Sequence, residues 1–210
     1  MQINPLPRQR RKEARPAEII EAALLLFHQK GYSATKLDDI AHFAGVTKGT
    51  VYLYFSSKEA LFKAAILETI QPNLDRIEET AMNSQASATQ RLKTAMSSWA
   101  SSMNECKGSI TKLMIAEAGN FPELSDFYIE TVVKRSRQLL IHLIQAGIDS
   151  GEFRPIDAHM LAITLFSPIL LTSIWRHTYA NLDPITYDLN QLSDFHLDIV
   201  FNGIALSKQS

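Results

Sequence analysis

Apolar residues recur along this chain at helical spacing almost from end to end, and no stretch alternates as a half-buried strand would. Ile19, Ala22, Ala23, Leu26 and Phe27 line one face of a first helix, with Pro16 suited to its opening turn and Gly31 to its end. Leu37, Ile40, Ala41 and Ala44 define a second, short helix, and Gly45 follows where a left-handed residue can end it. Thr47 can cap a third helix whose inner stripe is Val51 and Phe55. Helix, Gly-containing turn, helix is the layout of a helix-turn-helix, whose second helix enters a DNA major groove. The alternative is a surface helical hairpin in an ordinary all-α protein.

The remaining pattern is also helical. Ser56-x-x-Glu59 reads as a capping box opening a helix that runs to about Asn83, bent near Pro72. After the polar stretch Asn83 to Thr89, Leu92, Met96, Trp99 and Met103 mark another helix, which Lys107-Gly108 is expected to end. Ser109 then caps a helix with Leu113, Met114 and Ala118. Pro122 opens a long one reaching about Ser150, and Gly151 and Pro155 break the chain. Met160 to Tyr179 is apolar on nearly every side, so it is expected to be buried on several faces. The last helix spans about Leu189 to Leu206.

Charge divides the chain. Residues 1–63 hold ten Lys and Arg against six Asp and Glu, and the remainder eleven against sixteen, beneath a net charge of −1. A basic head on an acidic body confines polyanion binding to the N-terminal third. Residues 1–15, with five basic residues, two prolines and no apolar period, read as a basic arm for phosphates or the minor groove, or else as a solubilising tail. On the third helix Lys48, Thr50, Tyr52 and Tyr54 offer a cation, hydroxyls and rings, and Gly49 leaves room for close approach. Lys48 and Thr50 are candidates for base edges, Tyr52 and Tyr54 for phosphates through their hydroxyls, and Lys58 as a point charge. Tyr52 can also be read as a core aromatic with a wet tip.

Gly31-Tyr32-x-Ala34-Thr35, Asp39-Ile40-Ala41, Ala44-Gly45-Val46, Lys48-Gly49-Thr50-Val51-Tyr52-x-Tyr54-Phe55 and Ser57-Lys58-Glu59-Ala60-Leu61-Phe62 resemble the N-terminal signature of the tetracycline-repressor (TetR) family. The resemblance runs from about residue 16 to 63. It implies an all-α protein, with an N-terminal three-helix helix-turn-helix DNA-binding head followed by a helical ligand-binding and dimerisation body. The expected divisions are 1–15 arm, 16–63 head and 64–210 body. It also implies that Thr47, Lys48, Gly49, Thr50, Tyr52, Tyr54 and Lys58 lie at or near DNA. Lys36 stands where many members carry a hydroxyl; its longer cation can still reach a phosphate.

The implied function is a dimeric, sequence-specific repressor that binds a palindromic double-stranded operator and is released by a small-molecule effector. Leu161, Leu165, Leu192, Phe195 and Ile199 are the expected dimer-interface residues of a homodimer four-helix bundle. Trp99, Met103, Met114, Phe127, Phe166 and Trp175 are the expected pocket lining, since aromatics and Met suit broad apolar ligands. The competing reading is a helical small-molecule-binding protein or enzyme whose head no longer reads DNA. The sequence offers no catalytic constellation, Gly-rich phosphate loop, metal-ligand spacing or cofactor motif, so no enzyme, metal or cofactor is expected. Cys106 stands alone, which fits a reducing cytosol. The uncharged run Met160 to Trp175 is 16 residues, short for a membrane span, so a cytoplasmic location is expected.

Overall fold

The computed structural model describes the backbone of residues 8–83, 85–104, 106–179, 182–183 and 188–204. Its described residues form helices and no strands, in two compact units: Met1–Glu68 with Leu113–Ser125, and Thr69–Lys112 with Asp126–Ser210. The second segment of the first unit lies far from the head in sequence.

In the first unit α1 spans Arg8–Lys30 and carries Pro16 inside it. The expected start at Pro16 is therefore too late. Residues 8–15 lack an apolar period, yet Arg, Gln, Lys, Glu and Ala are all good helix formers. Residues 1–7 of the expected arm lie outside the described residues. Helix α2 is Leu37–Phe43 and α3 is Lys48–Tyr54. Gly31 and Gly45, with φ +81° and +64°, end α1 and α2 in the left-handed region. Helix α4, Lys58–Thr69, is capped by Ser57, whose Oγ accepts from the Ala60 amide at 3.0 Å. The cap is thus one residue later than the expected Ser56 box. Ile19, Ala23, Phe27, Ile40, Val51, Leu61 and Ile66 are fully buried and form this unit's core.

The helix after α4 is broken at Ile70, and α5 runs Gln71–Asn83. Pro72 sits in its first turn, where its missing donor is harmless. Then follow α6, Ala88–Asn104, and α7, Cys106–Glu117. Lys107-Gly108 does not end a segment: both lie in the first turn of α7, where one Gly costs only about 1 kcal/mol. The side chain of Cys106 lies outside the described residues. The expected long helix from Pro122 is interrupted by a π-helical turn, giving α8 (Pro122–Tyr128), the turn Ile129–Val133 and α9 (Lys134–Asp149).

Helix α10 spans Ala158–Tyr179 and α11 spans Leu189–Ile204, with Leu206 beyond the described residues. At 22 residues α10 is longer than the apolar run suggested, and by length and composition alone it could cross a membrane. One side of it is packed into the second unit. Helix α6 is the centre of that unit, touching α5, α9, α10 and α11. Leu92, Met96, Leu143, Ile144, Leu165 and Ile169 are fully buried there. Glu152 fixes the start of α6, its carboxylate accepting from the amides of Ala88 and Thr89 at 2.8 and 3.0 Å and from the Thr89 hydroxyl at 2.8 Å.

Candidate nucleic-acid interface

The turn into the helix-turn-helix is built around Tyr32. Its ring packs at 5.3 Å on Phe27, 5.2 Å on Phe62 and 4.7 Å on Phe121. Burial, with the nearby charges of Glu59 and Glu117, pushes its hydroxyl pKa up to about 12. Thr35 is buried and donates to the Gly31 carbonyl at 2.7 Å, closing the turn. The Ser33 amide donates to Glu117 Oε1 at 3.2 Å. The Gly-Tyr-x-Ala-Thr motif is thus a structural clasp.

Helix α3 is presented by this frame. Thr47 is extended, with ψ 155°, and its Oγ1 accepts from the Thr50 amide at 3.2 Å. The two threonine hydroxyls also bond each other at 2.9 Å. Thr47 therefore caps as expected, and in doing so occupies the amide that an incoming phosphate would otherwise use. Val51 points inward and is fully buried. Lys48, Gly49, Tyr52 and Leu53 face outward, and Thr50 is half-buried at the edge. Tyr52 is 48% exposed, so it is a surface ring and not part of the core. Tyr54 is half-buried, its ring 6.5 Å from that of Phe55. A Cβ on Gly49 would meet only Thr47 Oγ1, at 3.9 Å. Packing within the chain therefore does not require the bare backbone there.

Lys48 forms an exposed, two-oxygen ion pair with Asp38 of α2, at 2.9 and 3.0 Å. Its pKa is raised, first by that hydrogen bond and then by the carboxylate's charge. Such an exposed pair is weak and exchangeable. Lys36 is exposed, and its amide donates to Asp39 Oδ2 at 3.4 Å at the start of α2.

Lys58 is turned into the fold. Its Nζ donates to the carbonyls of Tyr32, Thr35 and Ser33 at 2.8, 3.0 and 3.3 Å and stands 4.3 Å from the Tyr32 ring centroid. Burial lowers its pKa, against the opposing charge of Glu117. An ammonium has three donors, and all three are engaged inside the fold. Lys58 is a brace for the turn. Conversely, sequence reasoning passed over Leu53, which is 73% exposed on the outer face of α3. Helical position alone could have found it: two residues past buried Val51 it is turned about 200° around the axis.

The expected body residues scatter. Trp99 and Met103 are buried, Phe127 and Phe166 half-buried, and the Trp99 and Phe166 rings meet edge-on at 5.9 Å. Met114 falls in the other compact unit. Trp175 is 46% exposed and donates through Nε1 to Asp183 at 2.7 Å, so it walls no enclosed pocket. An open polar cleft of about 340 Å³ lies instead between α5 and α6, lined by Asn73, Arg76, Thr80, Ser98, Ser101 and Ser102 among others. None of the expected residues lines it. Buried Asn73 donates to Ser102 Oγ at 3.0 Å and accepts from Arg76 at 2.8 Å.

The expected interface residues also divide. Leu161 and Leu165, at 5% and 0% exposure, belong to the chain's own core. Leu192 is half-buried. Phe195 and Ile199 are 67% and 54% exposed on α11, and Met160, Ile163 and Leu171 are exposed on α10. The division follows from phase: an all-round apolar helix does not reveal which of its sides the core takes.

A helix-turn-helix with a cationic, hydroxyl-bearing outer face, joined to a helical body, defines a DNA-binding transcriptional regulator. The family model of the bacterial regulatory proteins, tetR family, matches residues 19–65, and that of the AefR-like transcriptional repressor C-terminal domain matches 90–187. The chain belongs to the TetR family of transcriptional regulators. It is 28% identical over 199 residues to the fatty acid metabolism regulator protein of Bacillus subtilis (strain 168), covering 92% of this chain and 98% of that one. It is 26% identical over 199 residues to the transcriptional repressor KstR2 of Mycolicibacterium smegmatis, covering 93% of both. Among solved structures, FadR from Bacillus subtilis in complex with stearoyl-CoA superposes with a TM-score of 0.70 at 26% identity, over 90% of this chain and 98% of that chain.

Proposed function

We propose that this protein is a homodimeric repressor that grips a palindromic operator with α3 of each subunit and lets go when the body binds an acyl-chain effector. The observation that carries the DNA reading is the outer face of α3, where Lys48, Gly49, Thr50 and Tyr52 gather around one surface of a rigidly clasped head. Thr47 and Tyr54 flank it, and Lys36 is exposed at the start of α2. The apolar residues left open on α10 and α11 support the dimer, because a twofold reader and a twofold operator match geometrically.

The effector class is drawn from the relatives, a fatty acid metabolism regulator and a FadR structure holding stearoyl-CoA. Arg76 in the polar cleft suits the anionic end of such a molecule. Release requires the effector to bind one head arrangement better than the other, since equal affinity for both shifts nothing.

The test is selection of bound duplexes from a random DNA library at roughly physiological salt. The expected result is a palindrome with half-sites on one face of the duplex. The selected operator is then challenged with stearoyl-CoA and, separately, coenzyme A. Release by the first alone supports an acyl-chain effector, and release by neither removes that class. Failure to enrich any sequence after ligand has been stripped from the protein would remove the regulator reading.

A further inference from the structure

We infer that Leu53 reads a thymine in each half-site, by packing its side chain against the C5-methyl group in the major groove. The inference rests on the operator-binding reading above and names one of its base contacts.

Leu53 is 73% exposed, and single exposed leucines are common on protein surfaces, so exposure alone decides nothing. Its position decides more. It lies nearly opposite Val51, the fully buried anchor of α3, and so occupies the middle of the helix's outward side. Gly49 is four residues before it, on the same face. Helical side chains lean toward the N-terminus, over the turn that precedes them, which directs Leu53 across the bare backbone of Gly49. That glycine has a negative φ and space for a Cβ, so neither backbone strain nor packing within the chain calls for it. A flat approach by something outside the chain, over Gly49 and against Leu53, accounts for both residues at once.

The surrounding chemistry indicates what approaches. Lys48, with its exchangeable Asp38 partner, opens the same short helix, and the exposed phenol of Tyr52 is next to Leu53 in the chain, so the apolar group is carried on an otherwise polar, cationic helix. This suits a nucleic acid better than an apolar protein surface. Leucine has no donor or acceptor, and set against a guanine or cytosine edge it would leave polar groups without partners. The thymine methyl is the apolar group that base edges offer in the major groove.

The experiment uses the full-length protein and its library-selected operator, with each thymine replaced in turn by deoxyuridine, which removes only the methyl. Wild type is expected to lose about four-fold in affinity per half-site at one symmetric position, the effect of exposing roughly one methyl group. Replacing both should cost about 15-fold. Leu53→Ala, harmless to folding at so exposed a site, should show less than about two-fold change at that position and unchanged sensitivity elsewhere. Leu53→Gln, given the same selection, should move the preferred base there toward adenine, which a glutamine can bond through N6 and N7. Wild type that selects an operator yet is indifferent to deoxyuridine everywhere overturns the inference and leaves the operator reading standing. Equal methyl sensitivity in wild type and Leu53→Ala overturns it also. Wild type that selects no sequence removes both.

Discussion

Lys58 donates to the Tyr32 carbonyl at 2.8 Å and also stands over the Tyr32 ring, so one side chain ties α4 to both the backbone and the side chain of the turn before α2. The same turn receives Glu117 through the Ser33 amide and Phe121 through the Tyr32 ring. Orientation of the helix-turn-helix therefore depends on a small electrostatic and aromatic clasp.

The first prediction concerns that clasp. Lys58→Ala leaves three carbonyls without their cation and should destabilise the protein by about 2 kcal/mol, read by urea unfolding. DNA binding should fall in parallel with loss of folded head. An unchanged unfolding midpoint beside a large loss of DNA affinity would return Lys58 to the interface.

Asp38 holds Lys48 and places a carboxylate beside the outward face of α3, which on the proposed reading opposes DNA binding. Asp38→Asn should tighten binding to all duplexes by about three- to ten-fold near 0.1 M salt and steepen the salt dependence. The unfolding midpoint should stay where it is, because the pair is exposed. Lys48→Ala should weaken binding and alter base preference, whereas Tyr54→Phe should weaken it on every sequence. Titrations on operator and random DNA distinguish these outcomes.

Dimerisation can be tested where the chain leaves α10 and α11 open. Leu171→Glu and Phe195→Glu alter exposed positions, at 66% and 67%, and should yield folded monomers by analytical ultracentrifugation. A glutamate desolvated at a twofold contact is repeated in both subunits and meets its own charge nearby. Persistence of a dimer in both variants would place the interface elsewhere.

Glu152 links stability to pH. Burial pushes its pKa up, but hydrogen bonds from the Thr89 and Ala88 amides and from the Thr89 and Ser150 hydroxyls outweigh this, and the net shift is downward from 4.5. A carboxylate whose folded pKa is depressed stabilises the fold above its unfolded value and loses that contribution as pH falls through the folded value. Glu152→Gln should cost about 1–2 kcal/mol at neutral pH, the range of a lost helix cap. The gap between variant and parent melting temperatures should close below about pH 4.5.

Gly147 faces Phe153 so closely that a Cβ would lie 2.2 Å from the ring. Phe153 is fully buried and its amide bonds the Gly147 carbonyl at 2.9 Å, so the ring has nowhere to retreat. Gly147→Ala should therefore destabilise by about 1–3 kcal/mol, although alanine favours helices, and Phe153→Leu in the same chain should recover part of it by thermal unfolding.

Much of this protein is determined locally and can be read in order along the chain. The helix-turn-helix, the Thr47 cap, the glycines ending α1 and α2 and the outward-facing set on α3 follow from short-range periodicity and capping, which act within one or two turns. Residues 8–15 carry no apolar period, so their helix is legible only through the propensity of their residues. Tertiary structure alone decided where side chains of mixed character point. Lys58 looks like a phosphate ligand until the turn 25 residues earlier folds back beneath it. Leu161 and Leu165 look equivalent to Leu171 until the body core takes one side of α10 and leaves the other. The place of Leu113–Ser125 beside the motif is likewise set by packing between segments distant in sequence. Burial is a property of what a residue meets across the fold, and a chain read in one dimension does not contain it.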